Sequence, residues 1–598
     1  MEIKTFDQRL KLGNGDYDRL VHARKPEGIE RKKAYIIGTG IAGLSAAGFL
    51  IKDAQMDPSH IIFLEKEELA GGALDGRLLS DLGYVARGGR ETGHHFEVLW
   101  DLLSVIPSRE DPDRSILDDL FYTNWDDPNY SNCRITKKCG TRYDNGKFNL
   151  SKDVIQEIVH LMMTPDEKLQ EISVEEVFSE DFLESDFWTY YRTMFAFENW
   201  HSALELKLYI NRFIHHVGGL PDLSALQFTR YDQYESIVVP MMRWLKDQGV
   251  TTQYNCEVLD IDFTITDKKK QATRIVAKDS ITGDDRSIVL SEDDLVFVTT
   301  GSLVEASSYG DNETAPSLEI NTAKSFQLWK NLARKSPDFG HPEVFTAHIE
   351  KTNWESATVT VRSREIASYI ERITKRSPYT GKVVTGGIVT ALDSSWLMSW
   401  TINRQGQYIG QPDEDIAVWV YALFTDRPGD YVKKPMCQCT GQEIAKEWLY
   451  HIGVPAGDIE RLVAETSTIP VYMPYITAQF MPRSFGDRPY VVPPKAVNFA
   501  FLGQFVETLD DPGRDTVFTT EYSARCAMEA VYVLTGVEKR VPEVFASRYD
   551  LRYLLAGASA LLDGEKPKLD LPFGVAPLIE KRIRGTEIEA MLKEYHLL

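Results

Sequence analysis

Short apolar runs that stop at glycine set the pattern of this chain. Ala34–Ile37 leads to Gly38, Leu295-Val-Phe-Val-Thr-Thr leads to Gly301, and Asn498-Phe-Ala-Phe-Leu leads to Gly503. A fourth run, Ile61–Leu64, stops at Glu65. Continuous apolar runs of this length predict buried strands. Leu44–Ile51, rich in small residues, predicts a helix after the first strand, and Thr520–Tyr532 predicts one after the last. Strand, glycine turn, helix, strand and acid follow in order over residues 34–65, the order of a dinucleotide-binding unit.

Each residue in that unit has a physical task. Gly38 permits the tight turn, Gly40 lets a pyrophosphate approach the backbone, and Gly43 lets the helix pack on the strand. The helix start offers its positive dipole end to phosphate. Glu65 is expected to accept a ribose hydroxyl. A second glycine pair, Gly71-Gly72, follows Glu65 closely, as in flavoproteins of the glutathione-reductase and amine-oxidase type. With the turns at Gly301-Ser302 and Gly503-Gln504, this favours FAD over NAD. There is no second G-x-G-x-x-G, so a separate nicotinamide site is not expected.

The predicted fold is therefore α/β, a Rossmann-like FAD-binding domain interrupted by an inserted substrate domain and followed by a helical C-terminal domain. The expected division is an arm over 1–30, FAD-binding parts over 31–150, 251–310 and 491–540, a helical cap over 151–250, a substrate domain over 311–490, and the terminal domain over 541–598.

Composition narrows the classes. Hydrophobic residues make up 43% and charged residues 26% of 598, which is globular rather than disordered. The net charge of -22 argues against nucleic-acid binding. Six scattered cysteines fit a reducing compartment, and Cys437-Gln-Cys439 is one residue short of a Cys-x-x-Cys pair. The first twenty residues lack an apolar signal core, and no run approaches the roughly 20 apolar residues of a spanning helix. A cytoplasmic protein is expected, with any membrane contact peripheral at the inner face. His94, His95, His201, His215 and His216 lack the spacing of a metal site, and none is expected.

The stretch Arg87–Trp100, RGGRETGHHFEVLW, places two arginines, two glycines and a glutamate after the flavin-type glycine pair. Taken alone, Glu91 fits a catalyst, a helix-cap partner or a salt bridge. The RGGRE element resembles the oleate hydratases, FAD-dependent fatty-acid hydratases once described as myosin-cross-reactive antigens. Asp126–Arg134, Phe187–Ser202, Arg212–His216, Tyr231–Ser236, Ser399–Gln405 and the C-terminal LPFGVAPLIEKRIRGTEI are similar to family segments in the same order.

The resemblance implies a hydro-lyase that adds water to the cis-9 double bond of oleic acid, giving a 10-hydroxy fatty acid. It implies that Glu91 handles the water, Tyr209 protonates the alkene, and Gln233, Thr401 and Asn403 hold the carboxylate. It also implies that Arg87, Gly88, Gly89, Arg90 and Thr92 lie along the flavin, and that the protein is a homodimer. Two positions depart from the family. Thr92 stands where Met is usual, and Gln407 stands where some members have a histidine contacting the carboxylate. Reduced FAD is the form expected to be more active, because an electron-rich ring stabilises developing positive charge. A flavin oxidase or desaturase, or a fatty-acid carrier with structural FAD, are the competing readings.

Thr401 and Asn403 are expected to alternate on a strand and share a face. At the C-terminus, Leu578, Ile579, Ile583, Ile588, Met591, Leu592 and Tyr595 recur at helical spacing around Lys581, Arg582 and Arg584. An apolar stripe with a basic cluster suits a helix lying on an anionic bilayer, and docking on the protein itself or on a second subunit suits it too.

Overall fold

A computed structural model of the chain describes residues 23–74, 76–79, 83–89, 91–143, 146–320, 324–509, 515–545, 547–565, 582–595 and 597. The apolar runs assemble into one parallel sheet in the order Phe499–Leu502, Asp294–Thr299, Lys33–Ile37, Ile61–Leu64 and Thr251–Gln253. Register pairs Ile36 with Phe297 on one side and with Phe63 on the other. These residues are fully buried, as strands covered on both faces require. The edge strand Thr251–Gln253 is polar and partly exposed, and carries no apolar run by which sequence could mark it.

Parallel strands put their C-terminal ends along one edge. Gly38, Glu65, Gly301 and Gly503 therefore gather there from distant parts of the chain. Helix Ile41–Lys52 extends the expected helix at both ends and packs against helix Thr520–Thr535, where the Tyr532 hydroxyl donates to Asp53 Oδ2 at 2.7 Å. Gly48 allows a close approach to the next helix, since a Cβ there would lie 2.6 Å from Leu102 Cδ1.

A mixed eight-stranded sheet forms the second layer. Its centre is antiparallel: Thr466–Met473, Trp354–Val361, Ile416–Ala422 and Met398–Thr401. Ile135–Lys137 and Thr141–Arg142 join its far edge, so residues expected to belong with the nucleotide unit pair instead with the larger sheet. Cys256–Ile265, Lys270–Asp279 and Asp285–Val289 make a separate three-stranded meander.

Helices Lys152–Met163, Asp186–Phe195 and Ala203–Arg212 cover the site from a third side. Their caps are Ser151, Ser185 and Ser202, whose hydroxyls accept backbone N–H groups of the first turn. Every residue of Ala203–Arg212 is buried, so this helix lies inside the molecule. In the terminal region, helix Leu551–Leu561 packs on the turn Ile214–Gly219, and helix Glu587–Glu594 follows Gly585 at φ 76°. Leu578, Ile579 and Lys581 lie outside the described residues. Among the described residues no helix is long and apolar enough to cross a membrane.

Candidate active site

The glycine turns meet as a cradle. Gly38 has φ 91°, and a Cβ on it would lie 2.5 Å from Thr299 Oγ1. A Cβ on Gly43 would lie 2.2 Å from the Gly38 carbonyl, which excludes any side chain. Gly40 precedes the helix with no side chain capping it, and bridges to Gly71. A Cβ on Gly72 would lie 3.2 Å from Gly40 Cα. The helix start is thus bare backbone walled by a second glycine turn, and these residues fit the pyrophosphate of a dinucleotide.

Glu65, expected to accept a ribose hydroxyl, also has partners within the protein. Its Oε2 accepts the Thr39 amide at 2.8 Å and the Thr39 hydroxyl at 2.6 Å, and its Oε1 accepts the Glu67 amide at 3.0 Å. The acid holds the glycine loop. Ser302 supports its own turn by accepting the Val304 amide, and a Cβ on Gly301 would strike the Phe326 ring. Gly503 has φ 107°, and Gln504 donates to the Phe518 carbonyl at 3.3 Å.

The loop after strand Gly83–Ala86 joins this cradle to a pocket. The strand lies across threonines of the larger sheet, with the Ala86 amide donating to Thr358 Oγ1 at 3.0 Å. Arg87 Nη2 then donates to the Gly72 carbonyl at 2.8 Å. Gly88 and Gly89 line the pocket, and a Cβ on Gly89 would lie 3.0 Å from Glu91 Oε1 and 3.2 Å from Trp419. Glu91 is therefore folded back on Gly89 beside the Trp419–Tyr421 stack, whose centroids are 4.7 Å apart. Thr92 is buried and pairs with Gln227, and Arg90 lies outside the described residues.

Gln233, Thr401, Asn403 and Gln407 line this same pocket. They come from the loop before the turn Tyr234–Val238 and from the loop after strand Met398–Thr401. The strand ends at Thr401, so Asn403 arrives by a loop and not by the expected alternation. The Thr401 hydroxyl meets Thr385 Oγ1 at 2.9 Å, and Asn403 Oδ1 is buried without a hydrogen-bond partner. Sequence reasoning missed Arg404. It lines the pocket; its Nε and Nη2 donate to Asp127 at 2.8 and 2.7 Å, and its Nη1 is buried without a partner. Arg230 and Asp232 line the pocket too; Asp232 Oδ1 is engaged by the amides of Tyr234 and Glu235.

Tyr209 stands on the buried helix inside an aromatic box. Phe195, Phe197 and Phe480 present edges to it at 5.1, 5.2 and 5.4 Å. Burial pushes its hydroxyl well above the usual tyrosine range, and the Glu205 carboxylate adds to this. The Phe518 amide and the Arg488 guanidinium oppose the rise. Glu205, one turn earlier, is fully buried and paired with Arg483 at 2.9 Å and Arg488 at 3.1 Å. Phe518 also accepts from Gln504, so Tyr209 adjoins the last loop of the parallel sheet.

The histidines depart from expectation differently. His94, His95, His215 and His216 gather behind Thr92, with the His95 and His215 centroids 5.4 Å apart and those of His215 and His216 3.9 Å apart. Their rings meet tilted or edge to face. Burial lowers His216 well below the usual histidine range and His215 to about 3. Among the described residues, the group whose atoms converge as metal ligands do is elsewhere: Asp430, Glu447 and His451. There the Glu447 carboxylate already accepts the amides of Asp430, Tyr431 and Val432 at 2.7 to 2.9 Å, which makes it a clasp for that loop.

Comparison with known proteins adds the following. The model of the MCRA family matches residues 31–532. An oleate hydratase of Streptococcus pyogenes serotype M49 (strain NZ131) is 47% identical over 593 residues, covering 98% of this chain and 99% of that protein. A linoleate hydratase of Lactiplantibacillus plantarum is 30% identical over 543 residues, covering 85% of this chain and 94% of that protein. Among solved structures, cyclohexylamine oxidase of Brevibacterium oxydans covers 84% of this chain and 98% of its own at 12% identity and a TM-score of 0.46.

Proposed function

The chain belongs to the MCRA family, and on that premise we propose that it is a fatty-acid hydratase, a hydro-lyase adding water to the cis-9 double bond of oleic and related acids. One observation carries the reading beyond family membership. The loop that bears Glu91 is pinned by Arg87 to the glycine cradle and by Gly88 and Gly89 to the pocket lined by Gln233, Thr401 and Asn403.

In this reading the pocket takes the carboxylate. Thr401, Asn403, Gln233 and Gln407 offer neutral hydrogen-bonding groups, and Arg404 offers the charge that Gln407 lacks. The acyl chain runs from there along the Trp419–Tyr421 wall, bringing its double bond to Glu91. Tyr209 gives its hydroxyl proton to carbon 9, and Glu91 takes a proton from the water that bonds to carbon 10. The proton returns from Glu91 to Tyr209 through solvent, so atoms and charge balance and no electrons are transferred. Burial keeps Tyr209 protonated between turnovers, while Arg488 and the Phe518 amide ease its loss.

FAD is the cofactor proposed for the cradle, held by Gly38, Gly40, Gly43, Gly71, Gly72, Gly301, Ser302, Gly503 and Gln504, with Arg87 and Thr92 alongside. When bound it supplies an electron-rich ring that favours developing positive charge, so its reduced form is expected to be the more active. A homodimer, and peripheral contact with the inner membrane face through the terminal helices, complete the proposal. Leu551, Leu554 and Ile588 are large apolar residues exposed there.

The test is anaerobic incubation of the protein with oleic acid and reduced FAD in oxygen-18 water, read by mass spectrometry. A hydroxystearate with heavy oxygen at carbon 10 is expected. Oxygen consumption with oxidised FAD and no hydroxylated product would replace this reading with an oxidase.

A further inference from the structure

The loop that carries Glu91 contains three glycines, Gly88, Gly89 and Gly93, and needs something to hold it. Its downstream end is His95, a non-glycine residue at φ 70°. Backbone in that region persists only where surroundings enforce it. Arg212 supplies the enforcement: its Nη2 donates to the His95 carbonyl at 2.7 Å. Arg212 lies on the Tyr209 helix, three residues further on.

Behind Arg212 stands a buried chain of charges. Asp515 accepts from Arg212 Nε at 3.0 Å and from Arg525 Nε at 3.2 Å. Arg525 Nη2 donates to Glu521 at 3.0 Å, and the Glu521 carboxylate accepts the Leu99 amide at 2.8 Å and the Val98 amide at 3.3 Å. All four side chains are at most 2% exposed. Two positive and two negative groups leave the cluster neutral, which is the arrangement that makes such burial tolerable. It ties three segments together: the Glu91 loop with its following helix, the Tyr209 helix, and the segment after the last strand of the parallel sheet.

We propose that Arg212 and Asp515, backed by Arg525 and Glu521, are positioning residues that fix the Glu91 loop against the Tyr209 helix. This rests on the hydratase reading above. The chain of charges touches no substrate; it acts by setting the separation of the acid and the base, to which turnover is steeply sensitive.

The experiment uses the full chain with FAD and oleic acid. Arg212→Lys keeps the charge but cannot reach both Asp515 and the His95 carbonyl. The pair Arg212→Met with Asp515→Asn removes one charge of each sign, and serves if the first variant fails to fold. Expected is a kcat at least tenfold lower, with KM within threefold and flavin affinity retained, each variant being assayed well below its own melting temperature. A folded, flavin-loaded variant with kcat within twofold of the parent overturns the proposal. So does a loss that falls on KM or on flavin affinity as much as on kcat, since that is the mark of a merely structural role. Glu91→Gln, run alongside, separates the two levels. Retained hydration there overturns the assignment of Glu91. Lost hydration there, with unchanged turnover in the Arg212 variants, overturns the clamp alone.

Discussion

Glu65 accepts two hydrogen bonds from Thr39, from its amide at 2.8 Å and from its hydroxyl at 2.6 Å. The acid that ends the second strand therefore fixes the glycine turn that ends the first. An ionised carboxylate suits this, because it accepts on both oxygens. Glutamine offers one accepting oxygen and turns an amide toward donors. A buried donor left unmatched costs about 1–3 kcal/mol. Glu65→Gln is expected to lower the melting temperature and weaken FAD binding about tenfold, read by fluorescence titration. Unchanged affinity would mean that the turn holds its shape without the acid.

Glu91 and Tyr209 are assigned to opposite faces of the reaction. Removing a general acid or base costs typically about 10²–10⁴-fold in rate. Glu91→Gln and Tyr209→Phe are each expected to lose hydration in that range while FAD binding stays intact. The Tyr209 hydroxyl sits in a box of phenylalanines that suits the replacement, and what Phe gives up is its contact with the Phe518 amide. Turnover of Tyr209→Phe within threefold of the parent would move the proton source elsewhere.

Arg404 should matter only for a charged substrate end. Two of its nitrogens are spent on Asp127, the third is buried without a partner, and the residue lines the pocket. Arg404→Gln is expected to raise KM for oleate at least tenfold and to leave KM for methyl oleate nearly unchanged. A charge-assisted hydrogen bond is roughly twice as strong as a neutral one, and the ester cannot make it. An equal rise for acid and ester would show that Arg404 only holds the loop.

The parallel sheet was legible in sequence because its buried strands are continuous apolar runs, three leading to glycine and one to Glu65. Ile61–Leu64 agrees residue for residue, and Lys33–Ile37 and Phe499–Leu502 agree within one. The fifth strand was not legible, since an edge strand needs no apolar run. The pocket residues were found through family motifs; periodicity would have put Asn403 on a strand that ends two residues earlier. Arg404 and the Arg212–Asp515 chain escaped because an arginine's partner is set by tertiary contacts across 277 and 303 residues. The four histidines escaped for the same reason: His94 and His95 meet His215 and His216 only in the fold.

Those histidines make stability depend on pH with a definite sign. His201, His215 and His216 are all lowered, chiefly by burial, His215 to about 3. The charged groups facing the pair include Arg212, His94 and His95, which add to the lowering. In the unfolded chain each titrates near 6.5. Above that value both states are neutral and the stability is fully present. As pH falls below it, the unfolded chain takes up protons that the folded one refuses, and stability is lost at up to about 1.4 kcal/mol per pH unit for each histidine. Glu198, which burial raises to about 7, takes up a proton in the folded state over the same interval and opposes the loss, so the imidazole contribution is read as the difference between the parent and a histidine variant. Urea unfolding at pH 7.5, 6.5, 5.8 and 5.2 reads both contributions together. His216→Phe, which keeps the stack on Phe213, is expected to lose less stability than the parent between pH 6.5 and 5.2. If the slope is the same with and without His216, its protonation is not what the folded state excludes.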